Sequence, residues 1–175
     1  MILTGPEIRR RMRDGAIVID PFDPSCLEPN SYCFHLGGSL IVYRSALIDY
    51  LSDETLADVE TIEIPAGGYV LEPLRFYLGH TLERMGSRRH AAELYARLST
   101  SLAGIFIQTS APLGHTGAVI PWTLEIVAIH AVRIYAGMPI GKICFWENFG
   151  AIRAYAGRYS VSTSVVQSRL SGANP

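Results

Sequence analysis

The chain has 175 residues and a formal net charge of −1, enough length for one domain with its own apolar core. That charge removes the basic footprint of a DNA or RNA binder, and no apolar run approaches the roughly eighteen residues of a membrane-spanning helix. Apolar residues at 49% against charged residues at 18% leave a surface lean in charge, which points to self-association.

In chain order, Thr4-Gly5-Pro6-Glu7 reads as a capping box with proline in the first turn, and Leu3 and Ile8 stand at the positions of a hydrophobic staple. The helix should stop at Asp14-Gly15, where glycine supplies the left-handed residue, and Ile17-Val18-Ile19 follows as a brief strand. Asp20-Pro21-Phe22-Asp23-Pro24 then forces extended or turn geometry. Strands are expected from Tyr32 to Leu36, Leu40 to Tyr43, Thr61 to Ile64, Tyr69 to Leu71 and Phe76 to Thr81. More follow from Ile105 to Thr109, Ala118 to Val127, Val132 to Ile134 and Ile143 to Glu147. Short runs of Val, Ile, Tyr and Phe broken by Gly and Pro are the pattern of a sandwich or barrel. Ala46 to Leu56 and Gly86 to Leu98 are the remaining helix candidates. No Pro/Gly/Ser linker divides residues 1–175, so one domain is expected, with the polar, small stretch from Ser160 to Pro175 as a flap or tail.

Cys26, Cys33 and Cys144 form an odd, widely spaced set without C-x-x-C, which indicates buried thiols in a reducing compartment rather than disulfides or a zinc site. With no leader-like or spanning segment, the chain reads as soluble and cytoplasmic. Arginine supplies all of the 15 basic residues except Lys142, and arginine is the better bidentate ligand for a small anion.

The run Val119-Ile120-Pro121-Trp122-Thr123-Leu124-Glu125-Ile126 places a carboxylate in an otherwise buried strand. Glutamate is almost never buried without a partner, and burial raises its pKa toward the range of a general acid and base. Glu125 therefore has two readings: a proton shuttle, or a structural acid that sits at the strand end or pairs with an arginine of another strand. Other chemistries lack their motifs. There is no G-x-x-x-x-G-K-[ST] loop, no G-x-G-x-x-G after a strand and no G-x-S-x-G elbow. The H-x-E and P-C-x-x-C elements of zinc nucleobase deaminases are also missing, so no zinc is expected.

Several segments together resemble a known family. Met1-Ile2-Leu3-Thr4, Ile17-Val18-Ile19-Asp20-Pro21-Phe22-Asp23-Pro24 and Pro29-Asn30-Ser31-Tyr32 with Leu36-Gly37 look like the N-terminal half of the dCTP deaminases, in the deaminase/dUTPase superfamily. The likeness continues through Thr123-Leu124-Glu125, Tyr135-Ala136-Gly137-Met138-Pro139-Ile140-Gly141-Lys142-Ile143-Cys144-Phe145 and Tyr155-Ala156-Gly157-Arg158-Tyr159, to Ser168-Arg169. The resemblance implies a mainly β, distorted barrel or jelly-roll-like fold of the dUTPase type, with a short N-terminal helix and few others, assembled as a homotrimer with active sites between subunits. It also implies hydrolytic deamination at C4 of the cytosine of dCTP, with Glu125 as the proton shuttle and Mg²⁺ bridging the triphosphate. Ala111, His115, Thr123, Tyr155, Arg158 and Ser162 would then contact the nucleotide.

The family's phosphate segment, Arg/Lys-Ser-Ser-Leu-Ala-Arg-x-Gly, is matched unevenly. Without gaps, Arg97 takes the first basic position and Ser99 the second serine, while Leu98 and Leu102 replace the first serine and second arginine. With a gap, Thr100-Ser101-Leu102-Ala103 takes the place of Ser-Ser-Leu-Ala. The second arginine is absent either way, and losing one preorganised donor of this kind costs about 10²–10³ in rate. Gly114-His115-Thr116-Gly117 replaces the family's Ile-Asp-Pro-Gly turn, Cys33 stands in place of an aspartate, and Ser162 and Ser164 replace glutamine and glycine. The functions implied are deamination of a cytosine deoxynucleotide, non-catalytic nucleotide binding, or a pyrophosphatase of the dUTPase kind, the last opposed by His115 where a water-orienting carboxylate is needed.

Overall fold

A computed structural model describes residues 1–49, 52–107, 111–160 and 162–168, with the side chains at 53 and 55 left out. Helix α1 (Gly5–Arg13) starts at Thr4, whose backbone is extended as an N-cap requires, but the Thr4 side chain makes no capping hydrogen bond. Glu7, expected to close the box, accepts instead from Arg10 at 2.6 Å and Arg11 at 2.7 Å. Charge-assisted bonds of this kind outweigh a neutral one. The Arg10 guanidinium, seconded by Arg11, holds the Glu7 carboxyl down at about 2. Leu3 and Ile8 are both buried, as a staple requires.

Nearly everything else is strand. In order come β1 (Ile17–Asp20), β2 (Tyr32–His35), β3 (Ser39–Tyr43), a five-residue α2 (Asp53–Ala57), β4 (Val59–Glu63), β5 (Tyr69–Leu71) and β6 (Phe76–Ser87). They are followed by β7 (His90–Ala96), α3 (Leu98–Leu102), β8 (Ile105–Ile107), β9 (Leu113–Gly114), β10 (Val119–Ala128), β11 (Val132–Ile134) and β12 (Pro139–Glu147). One antiparallel sheet runs β4-β3-β6-β10-β8, with β1 also pairing β6, and a second runs β2-β12-β7-β9. Strands β11 and β5 form a small third ladder. Tyr77, Leu124 and Ile126 of the first sheet meet Phe34, Leu94 and Phe145 of the second in one apolar core. The protein is mainly β, as expected.

Of the two remaining helix expectations, one fails and the other holds only at its C-terminal end. Gly86 to Leu98 is not a helix but the end of β6, a turn, and β7. Its Ala, Glu, Leu and Arg content favours helix, yet His90, Ala92 and Leu94 alternate into the core while β7 pairs with β12 from His90↔Glu147 to Ala96↔Gly141. Tertiary pairing with period two overrides local propensity. Within Ala46 to Leu56, the described helical residues begin only at Asp53, and positions 50 and 51 lie outside the described residues. Strand β6 runs well past the expected stop at Thr81, since His80 to Ser87 continues against both β1 and β10. Expected strand residues 108 and 109 lie outside the described residues. All three cysteines are free, with Cys33 and Cys144 buried and Cys26 partly so, and burial pushes each thiol up from its ordinary value.

Candidate functional site

The position of Glu125 depends on an irregularity in β10. Successive strand residues face opposite sides, so Ile120 and Glu125 would not share a face in a regular strand. Between Pro121 and Thr123 the register against β6 shifts, from Pro121↔Arg84 to Thr123↔His80. At the shift, Trp122 N–H donates to the Thr81 hydroxyl at 2.9 Å instead of to a ladder carbonyl. The hydroxyl in turn donates to the Glu83 carbonyl at 2.7 Å. Bulges of this kind re-aim side chains. Ile120, Trp122, Thr123 and Glu125 consequently all line one cavity, while Leu124, Ile126 and Ala128 remain in the core.

That cavity has a volume of about 480 Å³, within the range of small-molecule sites. Phe76, Leu78, Ile120 and Trp122 give it apolar and aromatic walls, with Glu125 and Thr123 on the strand that crosses it. Glu125 is half-buried there rather than enclosed in the strand's packing. Trp122 is fixed from its edge by donation from Nε1 to the Met85 carbonyl at 3.0 Å. It also needs Gly114, where an added Cβ would lie 2.7 Å from the indole.

The chain beyond β12 returns across the cavity. Tyr155 N–H donates to the Thr116 carbonyl at 2.8 Å, and the Tyr155 ring stacks on His115 with centroids 5.4 Å apart. Close approach here depends on Gly117, whose φ is +104° and whose Cβ, if present, would lie 2.8 Å from the Tyr155 nitrogen. Farther on, Val166 N–H donates to the Thr123 hydroxyl at 3.3 Å and Ser168 N–H to the Tyr43 hydroxyl at 3.1 Å. Described residues of the expected flap from Ser160 therefore lie along the cavity rim; positions 161 and 169–175 are outside the described residues. The Ser162 hydroxyl is buried with no hydrogen-bond partner among the described residues.

Of the residues singled out in the sequence, Glu125, Ala111, His115, Thr123, Tyr155 and Ser162 meet in this cavity. Arg158 lines an adjoining cavity that shares His115, Tyr155 and Tyr159 with the first. Arg97, Ser99, Thr100 and Ser101 line neither. Arg97 precedes α3, Ser99 and Ser101 are exposed on it, and the buried Thr100 hydroxyl donates to the Ile140 carbonyl at 2.9 Å, a structural bond. Tyr43, Phe76, Trp122 and Gln167 line the cavity but were not singled out. Trp122 carried a signal, as the one aromatic in the Glu125 strand. Tyr43 and Phe76 read only as ordinary strand residues, because nothing local says that β3, β6 and β10 will lie side by side or which face of their sheet will bear the cavity.

Among the described residues, no group of three or more His, Cys, Asp or Glu is placed to hold a metal ion, and no helix is long and apolar enough to cross a membrane. Fold and site together define a mainly β protein with an acid-bearing, aromatic-walled cavity between a sheet and the returning C-terminal segment. A family model described as dCTP deaminase-like matches residues 2–148, and the chain belongs to that family. It is 38% identical over 150 residues to a dCTP deaminase of Rhodopirellula baltica, covering 86% of this chain and 74% of that one. It is 35% identical over 171 residues to a "dCTP deaminase, dUMP-forming" of Hathewaya histolytica and 36% to one of Leptospira biflexa, covering 97% of this chain in both cases, and 97% and 96% of those relatives. A solved 2′-deoxycytidine 5′-triphosphate deaminase from Agrobacterium tumefaciens shares the fold with a TM-score of 0.67 at 19% identity, over 84% of this chain. This chain spans 48% of the length of that structure.

Proposed function

We propose that the protein hydrolytically deaminates a cytosine deoxynucleotide, dCTP or a close relative of it, with Glu125 as the proton shuttle. The observation that carries this reading is the convergence of Glu125, Trp122 and Tyr155 on one cavity in a chain of the dCTP deaminase-like family. Aromatic walls suit a flat heterocycle, and a half-buried carboxylate beside it can accept and return protons. Water attacks C4 as Glu125 takes its proton and passes it to ring N3. Glu125 then carries the hydroxyl proton of the tetrahedral adduct to the amine, which leaves as ammonia and leaves the uracil carbonyl. The Ser162 hydroxyl, without a hydrogen-bond partner among the described residues, and the Thr123 hydroxyl supply polar contacts to the nucleotide.

Arg97, Ser99 and Ser101 take part through assembly. They stand off the cavity, beside Leu98 and Leu102, which are 71% and 78% exposed. A homotrimer in which a neighbouring copy covers α3 buries those leucines and brings the phosphate-binding segment to the next subunit's cavity. Magnesium enters with the triphosphate, whose oxygens and waters suit it. The described residues offer it no carboxylate cluster, so no step is routed through it.

Release of pyrophosphate from the same nucleotide is a second reading, favoured by the relatives named dUMP-forming. Incubation of the purified protein and Mg²⁺ with dCTP, dCDP, dCMP and dUTP, following ammonia and pyrophosphate together, separates the two. Ammonia alone supports deamination; both products support the coupled reaction. Glu125→Gln should lower ammonia release by roughly 10²–10⁴ while nucleotide binding persists. Turnover by that variant at the wild-type rate would refute the shuttle.

A further inference from the structure

Glu83 is a carboxylate with no part in the reaction above, and its side chain is only 2% exposed. It lies in an irregular stretch of β6, where Thr81, Leu82 and Glu83 stand opposite Trp122 alone in β10. Hydrogen bonds close that stretch from both sides. Toward β10, the Thr81 hydroxyl accepts from Trp122 N–H and donates to the Glu83 carbonyl. Toward β2, the Glu83 carboxylate accepts from His35 Nδ1 at 2.6 Å and from the His35 backbone N–H at 2.9 Å. The corner after β2 follows the same stretch closely. Gly37 N–H donates to the His80 carbonyl at 2.8 Å, an added Cβ at Gly37 would strike the His80 ring, and His80 Nδ1 donates to the Thr81 carbonyl at 3.0 Å. His35, Thr81 and Glu83 line neither of the two cavities.

We infer that His35 and Glu83 are positioning residues for the deamination, holding β6 in the irregular register that turns Glu125 into the cavity; this rests on the deaminase reading above. The line of contacts starts at His35, 20% exposed, and runs through Glu83 and Thr81 to Trp122, three residues before Glu125 in β10. Each bond fixes the direction of the next. An ionised carboxylate only accepts, so His35 Nδ1 carries a proton. The Glu83 carbonyl likewise only accepts, so the Thr81 hydroxyl points its proton at Glu83 and turns a lone pair to Trp122 N–H. A buried ion pair adds little stability over an apolar pair of the same volume, and what this one supplies is a fixed geometry. Misplacing a reacting group by about 1 Å can cost about 10² in rate. Phe76, Leu78 and Tyr155, which wall the cavity, stand outside the line, so loss of the pair falls on kcat more than on KM.

The test compares His35→Leu, which fills the space without a donor, with His35→Asn, whose amide can donate from the place of Nδ1. Both are made in a Trp146→Phe background, which leaves Trp122 as the one tryptophan. Ammonia release from dCTP gives kcat and KM, and Trp122 emission reports on the register shift. At temperatures where circular dichroism shows it folded, His35→Leu should lower kcat by about tenfold or more, leave KM within about threefold and move the Trp122 emission. His35→Asn should recover most of both changes. A folded His35→Leu with the kcat and emission of its parent overturns the inference, as does a His35→Asn as impaired as His35→Leu. Should His35→Leu not fold, Glu83→Gln takes its place, because one acceptor oxygen cannot hold His35 Nδ1 and the His35 backbone N–H as two do; unchanged kcat and emission in that variant likewise overturn it. If the parent releases no ammonia, the deaminase reading fails and emission alone decides. Emission moved in His35→Leu and restored in His35→Asn then supports the positioning role, and unmoved emission refutes it.

Discussion

Thr81→Val tests whether the register shift in β10 is what aims Glu125. The Thr81 side chain is fully buried, accepts from Trp122 N–H at 2.9 Å and donates to the Glu83 carbonyl at 2.7 Å. Valine keeps the shape and removes both bonds, leaving one buried donor and one buried acceptor without their partner. Each unsatisfied group costs about 1–3 kcal/mol, so the substitution should destabilise the fold by about 2–6 kcal/mol. At about 2–4 °C per kcal/mol for a chain of this size, the melting temperature should fall by about 4–24 °C. The Glu83 carboxylate, which holds His35 through Nδ1 at 2.6 Å and through its backbone N–H at 2.9 Å, sits in the same turn of chain and should lose order with it. Ammonia release should drop further than the melting curve alone explains at temperatures where the variant remains folded, because Trp122 makes the lost bond and Glu125 stands three residues farther along the same strand. Thr81→Ser keeps the hydroxyl and should recover most of both losses. A Thr81→Val protein as stable and active as wild type, or a Thr81→Ser protein as damaged as the valine variant, would refute the reasoning.

Two further outcomes are expected. His90 is 4% exposed, and neither ring nitrogen has a hydrogen-bond partner among the described residues. Burial, with Arg11 nearby, pushes its pKa below 6.5. As pH falls below 6.5, the unfolded chain takes up this proton before the folded one does, so stability should decline from there until the folded value is reached, by at most about 1.4 kcal/mol per pH unit. His90→Leu should flatten that part of the melting temperature against pH, and parallel curves for the two proteins would count against it. Mixing Glu125→Gln with Arg97→Ala subunits should restore ammonia release above either parent if a neighbouring copy supplies Arg97; a mixture no better than its parents would place Arg97 outside the catalytic assembly.

The β character of the chain was legible because it depends on local chemistry repeated many times. Tyr69–Leu71 and Val132–Ile134 are strands at the expected bounds, since both are rich in β-branched or aromatic residues and have glycine or proline within three residues on the C-terminal side. The helix start at Thr4 was legible for the same reason, although the partner of Glu7 was decided by two arginines one turn on. The segment from Gly86 to Leu98 was not legible, because its composition favours helix and only the facing strand β12 makes strand the better choice.

The site divides along the same line. By itself the sequence determined that one acid, Glu125, lies in an apolar strand among family-like motifs, and it singled out His115, Tyr155 and Ser162, which meet Glu125 in the cavity. Only the tertiary structure decided which face of the strand that acid takes, because a two-residue pleat gives no information about a register shift made by Thr81, 44 positions earlier in the chain. Only the tertiary structure, too, separated Arg158 from Arg97, which differ in placement rather than in chemistry. Residue type sets what a side chain can do, and packing between distant strands sets where it does it.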